Sequence, residues 1–214
     1  MHSLADILLV LVLLSNLYLL GSSRLGAAIK ALAFQGVLLA VLPLIYTGEA
    51  ANLHALILSA GSFTIKGVIM PILLFQAIRE VKIRREVEPF VPYTASLLIG
   101  ALIVLVAFWL SRHLSLPKTM SSALCVPTAL AGVMMGLLLL VSRKKALMQV
   151  IGYIVLENGI YVFALPLAAH MPFLVEIGVL LDVFVGVFIM GIIMNHIKDI
   201  FDSLSIENLT ELKK

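Results

Sequence analysis

The chain has 214 residues, 62% of them hydrophobic and 13% charged, with a formal net charge of +3 and a mean hydropathy of +1.13. Soluble domains lie near roughly 45–50% apolar and about 25% charged, and a nucleic-acid binder would carry a larger basic excess clustered on a polar domain, so the composition predicts an all-α, polytopic integral membrane protein embedded in a lipid bilayer, with no nucleic-acid partner. A single cysteine, Cys125, excludes an internal disulfide and a multi-cysteine iron–sulfur or zinc site.

Apolar runs of about 17–25 residues, the length that crosses a core of about 30 Å, predict seven transmembrane helices, approximately 4–20, 25–46, 54–78, 93–111, 120–141, 147–169 and 172–197. The first lacks a basic leader and a small-residue cleavage site and has Asp6 in front, so it reads as a retained span. In the third, Pro71 has no N–H to give the carbonyl of Gly67, beside Lys66. The segment 79–89 is charged and extramembranous. In the sixth, Glu157-Asn158 interrupts an apolar stretch, Tyr153 and Tyr161 flank Glu157 at i−4 and i+4 on its own face, and Pro166 leaves the carbonyl of Val162 without its usual donor. The tyrosine hydroxyls extend a relay or simply pack with one satisfied bond. In the seventh, Glu176 lies near the outer interface, Asp182 lies deep, and Gly186 permits close approach of another helix. The tail, 198–214, reads as a short peripheral or docking segment. Residues 1–119 hold the first four helices, and 120–197 form a three-helix unit.

Alternate connections and the tail contain Arg24, Lys30, Arg79, Lys82, Arg84, Arg85, Arg143, Lys144, Lys145, Lys198, Lys213 and Lys214, whereas the opposite set contains Arg112 and Lys118. The positive-inside rule then predicts an odd number of spans, with the N-terminus outside and the C-terminus in the cytoplasm. Asn208 opens a formal glycosylation sequon, but in a tail predicted to be cytoplasmic.

Lys66, Glu157 and Asp182 remain inside spans, about 12, 11 and 10 residues from the span starts and therefore roughly 15–18 Å deep. A charge at that depth costs at least ~2.5–3.5 kcal/mol, so these residues are expected to face protein or water and to be functional. A structural alternative stays open, with Glu157 protonated between helices and Lys66 paired with Asp182. The five histidines, His2, His54, His113, His170 and His196, lie near span ends without metal-ligand spacing. No Gly-rich phosphate loop occurs, and no Ser/His/Asp arrangement is discernible from sequence.

The stretches GYIVLENG (152–159), VEIGVLLD (175–182), FTIKGVIMP (63–71) and NLTELK (208–213) resemble the membrane subunit called hydrogenase-4 component E, in the same order and at matching length. The last three helices are similar, more loosely, to the K-type subunit of respiratory complex I and the corresponding subunit of Mrp-type antiporters. K-type subunits carry intramembrane glutamates on two helices. Here Glu157 sits about a turn from the matching place and the seventh helix has Asp182 instead.

The resemblance implies a non-catalytic subunit in the membrane arm of a complex I-related, membrane-bound [NiFe] hydrogenase of the formate hydrogenlyase type, in a prokaryotic inner membrane. It implies antiporter-like membrane subunits, a complex I-like membrane anchor subunit and cytoplasmic hydrogenase subunits as partners. The nickel–iron centre and iron–sulfur clusters are then expected in the partners, with no cofactor in this chain. It further implies a proton pathway through Glu157 and Asp182, tuned by Lys66, with Asn158, Tyr153, Tyr161 and Glu176 beside it. Burial and a nearby ammonium act in opposite senses on a carboxyl group, so a small movement of charge or water switches uptake to release. A stand-alone secondary transporter and a purely structural linker are the rival classes. The absence of a clear inverted repeat weighs against the first.

Overall fold

A computed structural model describes residues 2–46, 53–81, 89–114, 124–165, 184–189, 191 and 195. These are helical almost throughout: α1 (His2–Gly21), α2 (Leu25–Tyr46), α3 (Leu53–Ser62), a π-helical segment (Phe63–Ile69), α4 (Met70–Val81), α5 (Tyr93–His113), α6 (Cys125–Ser142) and α7 (Ala146–Ala164). With α3, the π segment and α4 taken as one rod, six stretches of the described residues are long and apolar enough to cross a membrane, and they coincide with the first six predicted spans. The seventh predicted span lies largely outside the described residues, of which 184–189 are helical. The expected break at 119/120 falls in the undescribed stretch 115–123.

Local chemistry explains the boundaries. Pro92 caps α5 with φ −53°, the value its ring imposes and a helix start accepts. Pro127 stands in the first turn of α6, where a missing N–H costs nothing. Arg143 leaves the helical region at φ −103°, ψ 139°, Lys145 remains extended, and α7 begins at Ala146, so the connection is short enough to force an antiparallel hairpin.

That hairpin is tightly joined because glycine faces backbone. A Cβ on Gly159 would come within 2.6 Å of the Val133 nitrogen, and one on Gly132 within 3.1 Å of the Gly159 Cα. In lipid, where apolar surface alone does not draw helices together, such close approach supplies the attraction. The Cys125 thiol also donates to the carbonyl of Val162 at 3.3 Å. α1 lies against α2, α5 and α6, and α2 lies between α1 and the α3–α4 rod while also touching α7. Among the six described spans α7 is the most enclosed and α5 the least, with 67% and 17% of their membrane windows buried within the chain.

At one end of the bundle three connections meet around Arg143, whose side chain is fully buried. One guanidinium nitrogen donates to the carbonyl of Leu20 at the end of α1, and the other to Val91 at 3.4 Å. The guanidinium carbon lies 4.5 Å from the centroid of the Tyr93 ring, and the N–H of Phe90 donates to the carbonyl of Ser142 at 2.9 Å. The α1–α2, α4–α5 and α6–α7 connections therefore share one end, as an alternating topology requires. Sequence counting treats Arg143 as a loop cation, whereas the structure uses it as an internal clamp. Arg143→Leu should lower stability by about 3 kcal/mol, the lower end for the loss of two hydrogen bonds from a buried charged group, each worth ~1.5–3 kcal/mol. A variant that melts in detergent like the wild type would show the clamp to be idle.

Candidate functional site

Among the described residues, the apolar interior is divided into two clusters. One gathers Leu19, Leu20, Ile29, Leu32, Met70, Ile154 and Val155 towards the Arg143 end, and the other gathers Leu9, Val12, Leu38, Leu39, Tyr161 and Val162 towards the opposite end. Between them, at matching heights on four spans, lie Asn16 of α1, Gln35 of α2, Lys66 of the π segment, and Glu157 and Asn158 of α7. Asn16, Gln35, Glu157 and Asn158 each sit about a turn from residues of both clusters on their own helices, and Lys66 sits a turn from Met70 of the first. None exceeds 3% exposure, so polar groups form a layer sealed above and below by hydrocarbon.

The centre of that layer is an ion pair between the Lys66 ammonium and Glu157 Oε1. Lys66 Nζ also donates to Asn158 Oδ1 at 3.1 Å and stands 5.4 Å from the centroid of the Tyr161 ring. Tyr161 shares a 2.9 Å hydroxyl contact with Ser62 Oγ. Asn158 Nδ2 donates to Gln35 Oε1 at 3.4 Å, and Gln35 Nε2 to Asn16 Oδ1 at 2.8 Å. Buried polar groups of this kind persist only when partnered, and a connected set costs less than isolated members.

The backbone around Lys66 is unusual as well. The N–H of Met70 reaches back to the carbonyl of Ile65, a π-type bond, one residue before Pro71. A proline cannot donate and its ring crowds the carbonyl four residues earlier, so a widened turn just upstream accommodates it. From Pro71 the sequence predicts only a Gly67 carbonyl without its usual donor; the π segment over Phe63–Ile69 is a feature the structure adds. Gly36 of α2 packs on this segment so closely that a Cβ there would lie 2.6 Å from the Lys66 carbonyl oxygen.

Of the residues singled out by sequence, the structure brings Lys66, Glu157, Asn158 and Tyr161 together. Tyr153 lines an apolar cavity of about 220 Å³ with Leu140, Gln149, Val150, Phe184 and Phe188. Asp182, Glu176 and Pro166 lie outside the described residues. Gly186 faces α4, where an added Cβ would lie 3.8 Å from Leu73 Cδ1. The pairing considered for Lys66 and Asp182 does not describe the central contact, which Lys66 makes with Glu157. Asn16, Gln35 and Ser62 are functional candidates that charge counting does not find. Among the described residues, no group of three His, Cys, Asp or Glu side chains could hold a metal ion.

The chain is 32% identical over 202 residues to "Uncharacterized protein Rv0085" of Mycobacterium tuberculosis, covering 94% of this chain and 91% of that one. It is 31% identical over 158 residues to "Hydrogenase-4 component E" of Escherichia coli, covering 74% and 73% of the two chains, and equally so to the protein of that name from Shigella flexneri. No family model and no solved structure matches the chain.

Proposed function

The chain belongs to the hydrogenase-4 component E family, and from that premise we propose that it is a non-catalytic membrane subunit of a membrane-bound [NiFe] hydrogenase complex, contributing proton translocation coupled to redox chemistry in its partners. The observation that carries this reading is the Lys66–Glu157 pair, enclosed in a polar layer between two apolar clusters. Ionisable groups in the middle of a span are costly and mark ion pathways or proton relays.

In this reading the complex sits in the inner membrane, with the Arg143 end of the bundle on the cytoplasmic side because the basic connections gather there. Antiporter-like membrane subunits and a membrane anchor subunit flank the chain, and cytoplasmic hydrogenase subunits hold the nickel–iron centre and iron–sulfur clusters. Glu157 exchanges a proton when charge movement in a neighbouring subunit pulls the Lys66 ammonium towards or away from it. Redox chemistry at a distance then acts as a shift in the equilibrium of this pair. Tyr161 and Ser62 offer hydroxyls that can both accept and donate on one flank. Asp182, Glu176 and Tyr153 complete the proposed pathway as further proton-handling groups.

Glu157→Gln in the assembled complex is the test, since the amide keeps the shape and loses the charge. Proton translocation into sealed vesicles should fall by roughly tenfold or more, while dye-linked hydrogenase activity and co-purification of the partners persist. Unchanged translocation would refute the coupling role. Failure of the partners to co-purify would favour the structural linker, a reading supported by the way the ion pair ties α7 to the α3–α4 rod.

A further inference from the structure

Among the described residues, the Lys66–Glu157 pair has two unlike flanks. On one stand the hydroxyls of Tyr161 and Ser62, 2.9 Å apart. On the other stand three carboxamides in file, Asn158, Gln35 and Asn16, on α7, α2 and α1. A hydroxyl passes a proton readily, accepting one and releasing another, whereas a carboxamide neither gains nor loses a proton near neutral pH.

The file also has a direction, and Lys66 sets it. An ammonium has donors only, so the oxygen of Asn158 must face it. That leaves the Asn158 amino group for Gln35 Oε1, and the Gln35 amino group for Asn16 Oδ1. Every amide therefore points its oxygen end towards Lys66. With the three residues 1%, 0% and 1% exposed, water offers little competition to re-orient them.

We propose that Gln35 and Asn16 are positioning residues. They hold Asn158 with its oxygen on Lys66, thereby aim the ammonium at Glu157, and close the polar layer to proton passage towards α1. Exchange at the pair is then confined to flanks other than the amide file, with Tyr161 and Ser62 the hydroxyl flank in view. This assignment rests on the reading of the pair as ion-coupling groups given above.

The test uses Gln35→Asn, which keeps the amide chemistry but withdraws it by one methylene from both Asn158 and Asn16, and Asn16→Leu, which keeps the bulk at the end of the file and removes the oxygen that accepts from Gln35. Both are made in the whole complex, and each is read by vesicle proton translocation, dye-linked hydrogenase activity and the infrared carboxyl band of Glu157, identified by its loss in Glu157→Gln. Gln35→Asn should cut translocation roughly tenfold and move the Glu157 band, as expected when a buried charge-assisted contact is loosened. Asn16→Leu should act in the same direction on both readouts and by less, because Asn158 keeps its contact to Gln35. A wild-type profile for Gln35→Asn overturns the proposal, and so does a loss of translocation with the band unmoved, since that marks packing rather than orientation. If Glu157→Gln itself leaves translocation intact, the coupling reading falls. The infrared shift then decides positioning on its own.

Discussion

Lys66→Met with Glu157 left in place should lower the stability of the chain by about 3–5 kcal/mol, whereas Lys66→Met/Glu157→Met should lie close to the wild type. Both charged side chains are almost completely enclosed, at 3% and 1% exposure, so neither can turn to water when its partner is removed. A carboxylate left alone between two hydrocarbon clusters bears its full desolvation penalty, while removing both charges removes both penalties and the attraction together. For a domain of this size the single variant should melt about 6–20 °C lower in detergent. The two variants should nevertheless both be defective in proton translocation, because the single variant lacks half of the coupling pair and the double variant lacks all of it. This contrast separates the pair's contribution to folding from its contribution to function: stability returns in the double variant and translocation does not. A double variant that pumps would dismiss the pair as a proton-handling site.

The two charged residues were legible in the sequence for a simple reason. Hydropathy exposes a charge in a greasy run wherever it occurs, and Lys66 and Glu157 break two otherwise continuous apolar stretches. The spans were legible on the same principle, from the minimum length that crosses a bilayer. The partner of Lys66 was not, because pairing depends on how helices rotate about their axes, which composition does not encode. Asn16 and Gln35 escaped notice because a neutral amide hardly perturbs a hydropathy window. Their available signal was positional, each being a polar residue at mid-span on the face shared with inward-pointing leucines. Arg143 was placed correctly at a helix end, but its burial is set by the carbonyls of Val91 and Leu20, 52 and 123 residues away in the chain. The π segment was not legible, since Pro71 announces only a missing N–H for the Gly67 carbonyl and hydropathy does not distinguish a π turn from an α turn.

Gly36→Val should cost about 3 kcal/mol, at the upper end of the usual overpacking range, and should impair proton translocation although it removes no polar atom. Even the first carbon of a side chain at position 36 would stand 2.6 Å from the Lys66 carbonyl oxygen and 2.7 Å from its carbonyl carbon. Real Cβ atoms do not approach backbone that closely, so α2 and the π segment would have to separate. The separation bears directly on the polar layer, because Gln35 precedes Gly36 and Lys66 carries the carbonyl that is struck. A shift of a few tenths of an ångström stretches the contact from Lys66 to Asn158, now 3.1 Å, and that from Asn158 to Gln35, already 3.4 Å. Gly36→Ala should fall between the wild type and valine in both melting temperature and translocation, giving a series graded in steric volume that removes no polar atom. If the series lowers stability while translocation per assembled complex stays constant, the position of the Lys66 backbone does not govern coupling. If both decline in step, the glycine contact between α2 and the π segment is what holds the ion pair in register with its amide file.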